Sequence, residues 1–234
     1  MELKKLHHEH HSNAGSILSD VILGGQDGLV NVLGIVLGVG IATRDPWLVI
    51  VAGLAATFAE SLSMAAVAFT STKASKDFYE SERTREVKEI EELPEIEKEE
   101  IKEIFRKWEF NEKDSQELTQ KFSSNKKAWL ALMMQHELHL EDETEKNPVK
   151  SGIIVGASAF IGSVIPLLPI VLLGKVALIE TLIFSLIILF IGGMIEGKLT
   201  AKNIIKSGIT IAFIGGLAAL GGFAVGWFFG APVA

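Results

Sequence analysis

Five apolar runs, each of about 20 residues or more, constrain this chain more than anything else in it. A run of that length matches the hydrocarbon thickness of a bilayer when helical. Runs of that length exceed what a soluble core helix needs and are read as membrane-spanning helices. The expected spans are 21–42, 47–69, 152–173, 176–195 and 204–229. Hydrophobic residues make up 48% of the 234. There is no Cys, which excludes disulfides, thiolate metal sites and a Cys nucleophile.

Between the second and third runs lies a block of opposite character. Residues 76–146 hold 21 of the 29 acidic and 13 of the 22 basic residues, a local net charge of −8. An acidic balance gives no support for nucleic-acid binding. The block is not a solvated tail, because Ile90, Leu93, Ile96, Ile101, Ile104, Phe105, Leu118, Phe122, Trp129, Leu130 and Leu132 recur at helical spacing. Three helices are expected in it: Pro94 to about Lys107, Asn111 to about Phe122, and Lys126 to about Glu143. With no Pro or Gly between Lys73 and Glu92, the second span is expected to continue into the block as one helix. The fold class is therefore an all-α membrane protein: five transmembrane helices with an inserted cytoplasmic helical domain. The divisions are a tail over 1–16, spans over 17–72, the acidic domain over 73–147, and spans over 148–234. Five spans put the termini on opposite sides. The Lys-rich side, bearing the N-terminus and the block, is expected to be cytoplasmic.

Two carboxylates lie where hydrocarbon makes them costly. A charge at the centre of a span costs roughly 2.5–3.5 kcal/mol on insertion scales and marks function by default. At ~1.5 Å per residue, Asp27 sits ~9 Å from Val21, while Glu60 sits ~13.5 Å and Met64 ~7.5 Å from Phe69. The second helix runs opposite to the first, so the three share one slab of the bilayer. Glu60 and Met64, four apart, share a helix face. Two carboxylates and a thioether suit a borderline divalent metal, the sulfur favouring transition ions. Metal entering between two acids would displace protons. The other reading is a hydrogen bond across a helix interface with Met64 as packing. Glu180, near the end of the fourth span, is read as interfacial.

In the block, Glu86 and Glu89 are three apart, as are Glu97 and Glu100; Met133, Met134 and Glu137 follow at i, i+1 and i+4. Such pairs can aim two carboxylates one way, and facing helices can then bridge metals. Glu-rich helices are otherwise solvated faces, and Met-Met pairs are otherwise core. His7, His8, His10 and His11 in the tail are read either as a solvated tail or as a weak metal-gathering one.

The run Asp27-Gly28-Leu29-Val30-Asn31, the pair Ser63-Met64, the segment Arg85-Glu86-Val87-Lys88-Glu89-Ile90, the spacing from Pro94 to Glu97 and Glu100, and Met133-Met134-Gln135-His136-Glu137-Leu138 stand in this order. Together they resemble the vacuolar iron transporter (VIT/CCC1) family. That resemblance implies a five-span homodimer with its path between the copies. It implies export of Fe2+, and often Mn2+, from the cytosol against an inward flow of protons. It assigns Asp27 and Met64 to the path, and Glu86, Glu89, Glu97, Glu100, Met133, Met134 and Glu137 to a cytoplasmic metal-binding domain. In plant members a glutamate lies eight residues before the Met; that position here is Ala56, and Glu60 stands one turn later. The expected ligand is the transported ion itself, with Zn2+ and Co2+ not separated from Fe2+ and Mn2+, and no prosthetic group. The expected partners are lipid, protons and a second copy. The membrane is the plasma membrane in a prokaryote or an organelle membrane in a eukaryote. The competing functions are a membrane-anchored ferroxidase or iron-storage protein, and a metal-gated channel or sensor. An enzyme with a nucleophile–base pair or a phosphate loop is not supported.

Overall fold

The computed structural model describes residues 12–144, 146–200 and 202–230. The four tail histidines lie outside them. The described residues are nearly all helical: α1 (Ser12–Thr43), α2 (Pro46–Glu92), α3 (Pro94–Lys107), α4 (Glu112–Ser123), α5 (Lys126–Leu132), α6 (Pro148–Val164), α7 (Leu168–Leu173), α8 (Leu178–Leu199) and α9 (Ile204–Phe229). A π turn (Met133–Glu137) follows α5, and a 3₁₀ turn (Ile165–Leu167) joins α6 to α7. Five stretches are long and apolar enough to cross a membrane: those of α1, α2, α8 and α9, and Pro148–Leu173. The chain forms two compact units, Thr70–Pro148 and the remainder on either side of it.

α2 runs for 47 residues without a break. It stops because Leu93 precedes Pro94 and takes an extended φ of −129°. Proline bars its predecessor from the helical region and then opens α3 from its own first turn.

Along α8 most of the inward residues are small and most of the outward ones are large. The buried positions of α8 are Thr181, Ser185, Leu189, Gly193 and Gly197, four apart throughout, while Leu172 is 80% exposed. That is the pattern of helices packed in lipid, where close backbone approach replaces the hydrophobic effect as the packing force. Gly34 and Gly38 of α1 meet Gly222 and Gly226 of α9. A Cβ on Gly222 would lie 2.1 Å from the Gly34 carbonyl oxygen. On the other flank of α1, a Cβ on Gly28 would lie 2.3 Å from the Ala159 carbonyl oxygen of α6.

Three expectations need correction. The third span is not one α-helix: Pro166 and Pro169 lack N–H groups, and the chain tightens into a 3₁₀ turn before α7. The fourth helix runs on to Leu199, past the expected end of its span at 195, and Asn203 then caps α9 by accepting from the Lys206 N–H. The helix from Lys126 stops at the π turn instead of reaching Glu143.

The acidic unit has its own core of Ile90, Ile101, Ile104, Phe105, Trp129, Leu132 and Met133, lined by Leu118, Phe122 and Leu130. Leu93 and Ile96, expected in it, are 47% and 55% exposed. Leu93 sits at the N-cap of α3, and the inward position one turn before Ile101 is Glu97. Asn111 caps α4 by accepting from the Asp114 N–H, and Asn125 caps α5.

Gly222→Ala is expected to destabilise by about 1–3 kcal/mol, since backbone blocks the new methyl. Gly221→Ala, with open space around it, is expected to be neutral or better. Thermal unfolding of both variants in detergent checks this; equal melting temperatures would contradict the packing described.

Candidate metal centres

In the acidic unit, α2 supplies Glu86, α3 supplies Glu97 and the π turn supplies Glu137. One carboxylate oxygen from each lies within 4.8 Å of the others. Oxygens sharing an ion at ~2.1 Å lie at most ~4.2 Å apart, so a small side-chain adjustment brings these three onto one ion. Glu86 and Glu97 are 1% and 4% exposed. Each also keeps one buried oxygen without a hydrogen-bond partner, Oε1 of Glu86 and Oε2 of Glu97. Buried acids ordinarily pair with donors; these two pair with each other and leave the remaining oxygens unsatisfied.

Loss of hydration, then the charges of Glu86 and Glu100, push Glu97 up to about 8. Glu137 is pushed up to about 7 by lost hydration and by Glu100, Glu86 and Glu89, although part of the residue reaches solvent. Burial, with Glu89 and Glu100 behind it, raises Glu86 too. Glu89 and Glu100 thus act on the cluster through their charge without joining the three; Glu89 also lies 3.5 Å from the Arg85 guanidinium. The π turn delivers Glu137: the Leu138 N–H bonds to the Met133 carbonyl, five residues back, a widened register often found at functional sites. Met133 is packed in the core and Met134 is buried beside it on the same turn. His136 sets its ring edge-on to Trp108, 4.8 Å between centroids.

In the apolar unit, Asp27 and Asn31 lie one turn apart on α1 and Glu60 and Met64 one turn apart on α2. Asn31 donates from Nδ2 to Glu60 Oε1 at 2.9 Å. The Glu60 carboxyl is also within side-chain hydrogen-bonding reach of Asp27. Glu60 is therefore the acid on α2 that meets α1. Ala56, one turn earlier, packs against the apolar cluster of Val32, Val36, Val49, Leu167 and Ile170. Met64 is half-buried. Glu180 pairs with Lys175 at 3.3 Å, as befits a residue at the end of a span. Two features escaped sequence reasoning. Asn31 carried a signal, a polar residue four after Asp27 within a span. The π turn carried none that spacing could reveal.

The Glu97 shift fixes a pH dependence. The group titrates at its ordinary 4.5 when unfolded and at about 8 when folded. Between these values the folded state holds the extra proton, so its stabilising contribution is complete below about pH 4.5 and lost as pH rises through 8. In metal-free protein, hydrogen-exchange protection of α3 is expected to fall from pH 5.5 to 8 after correction for intrinsic rates. Glu97→Gln should flatten that dependence; an unchanged slope would contradict the assignment.

A sequence model described as the VIT family matches residues 18–227. The chain is 31% identical over 219 residues to vacuolar iron transporter 1 of Arabidopsis thaliana, covering 93% of this chain and 88% of that one. It is 31% identical over 214 residues to vacuolar iron transporter 1 of Oryza sativa subsp. japonica, covering 91% and 85%. It is 33% identical over 225 residues to the vacuolar iron transporter of Plasmodium berghei (strain Anka), covering 92% and 82%. These names are those of transporters, not of enzymes. With five helices long and apolar enough to cross a membrane, and a family match across most of its length, this chain belongs to the VIT family.

Proposed function

We propose that this protein exports Fe2+, and with it Mn2+, from the cytosol by exchange for protons, and that the acidic unit is a cytoplasmic collector. One observation carries the reading: Asn31 hydrogen-bonds Glu60 across two helices long and apolar enough to span a membrane, and Asp27 stands one turn from Asn31. Carboxylates at such depth line paths for ions or protons. The names of the relatives support iron as cargo. Met64, one turn from Glu60, would add a soft ligand that favours Fe2+ over Mg2+.

The collector reading is supported by the three converging carboxylates and the two unsatisfied oxygens. Their retained protons leave when a cation enters, so loading strengthens as pH rises. Glu89 and Glu100 concentrate cations around the cluster, and Met133 and Met134 stand on the same turn as Glu137. A homodimer is supported by Asn31, which is exposed on the single chain although it lies in a span. A second copy would shield that face from lipid. The positive-inside distribution supports a cytoplasmic N-terminus and acidic unit. The relatives' names support an organelle membrane; in a prokaryote the same orientation gives export across the plasma membrane.

Proteoliposomes with an acidic interior are expected to take up Mn2+ while the internal pH rises, and Asp27→Ala is expected to abolish both. Undiminished uptake by the variant would remove Asp27 from the path. Uptake that ignores the pH gradient would overturn exchange.

A further inference from the structure

Two carboxyl groups in one span slab leave open which of their several rotamers faces the ion. Glu60 has three rotatable side-chain bonds, and fixing a long acidic side chain costs rotamer freedom. A site that meets its ion with Glu60 already fixed does not bear that cost at the moment of binding.

We propose that Asn31 is a positioning residue of the membrane site, holding the Glu60 carboxylate against Asp27 so that a divalent cation meets a preset pair of acids. The amide donates from Nδ2 to Glu60 Oε1 at 2.9 Å, between residues 29 apart in the chain. A carboxylate can only accept, so the amide nitrogen is the atom that must face it. Asn31 lies one turn beyond Asp27, so the helix that carries one acid also carries the clamp for the other. Two hydroxyls close to Glu60 in sequence are engaged elsewhere: Thr57 donates to the Gly53 carbonyl at 2.8 Å, and Ser61 to the Thr57 carbonyl at 2.6 Å. The Asn31 amide is neutral, so it orients Glu60 without adding a charge that would compete with the cation. Lysine or arginine here would neutralise the acid; leucine would leave it free to rotate.

The role of Asn31 rests on the transport reading, while its contact with Glu60 does not, and the test separates the two. Initial rates of Mn2+ uptake by the full chain in proteoliposomes give KM and Vmax for wild type, Asn31→Leu and Asn31→Gln. Asn31→Leu keeps size and removes the donor. It is expected to raise KM about tenfold, the scale of a hydrogen bond to a charged group, with Vmax within about twofold of wild type. Asn31→Gln restores a donor on a longer arm and is expected to recover most of that loss. A lowered Vmax at unchanged KM would mean that Asn31 only supports folding, and would overturn the proposal. If Asn31→Leu is not recovered folded, Asn31→Ser, too short to reach Glu60, replaces it with the same expectation.

The second readout needs no transport. Melting temperatures in detergent are compared for Asn31→Leu, Glu60→Ala and the double variant. The asparagine change is expected to have little further effect once Glu60 is gone. Additive losses would overturn the pair. A wild-type protein that carries no Mn2+ would overturn the transport reading and with it the role in ion capture, and the melting cycle would still decide the contact.

Discussion

Carboxylates held together out of water need a proton or a cation among them. The acidic unit is arranged around that constraint. Glu86 and Glu97 are enclosed by the helices that also bury Ile101, Phe105 and Met133, so packing of the apolar core forces the acids together. The resulting repulsion and lost hydration raise their proton affinity, and this keeps the metal-free unit folded with the acids partly neutral. The proposed metal binding would therefore be linked to folding, because the proton that stabilises the unit is the one a cation would displace.

A related constraint acts in the apolar unit with different means. Asp27 lies on a helix that packs closely against α6 and α9 through glycines. Gly28 follows Asp27 directly and lies against the Ala159 carbonyl. A larger residue there would push α6 away from the face beside the acid. The alignment of the polar group thus depends on glycines that touch no ion, as well as on the amide of Asn31.

Much of the architecture was legible from spacing. The spans, the unbroken passage of α2 to Glu92, the start of α3 at Pro94 and the Asn111 cap all follow from local rules of length, proline geometry and side-chain capping. The misses were also physical. Pro166 and Pro169 sit in a run apolar enough to pass as one helix, and composition does not register a missing N–H. The segment after Leu132 has helical residues throughout, yet its hydrogen bonds widen to a π register. Leu93 and Ile96 fit an apolar period whose inward place is occupied by Glu97.

By itself the sequence determined that there are five helices able to cross a membrane, that a folded acidic unit interrupts them, and which acids lie in spans. Those are properties of nearby residues: run length, periodicity and charge. The family resemblance picked out five of the block's 21 acids, and which of those five converge was decided only by the tertiary structure. Glu86, Glu97 and Glu137 come from three separate elements, and four-residue spacing on one helix says nothing about what faces it from another. The same holds for Glu60, whose partners Asp27 and Asn31 lie on a different helix. An interaction between distant segments exists only once packing has fixed their separation.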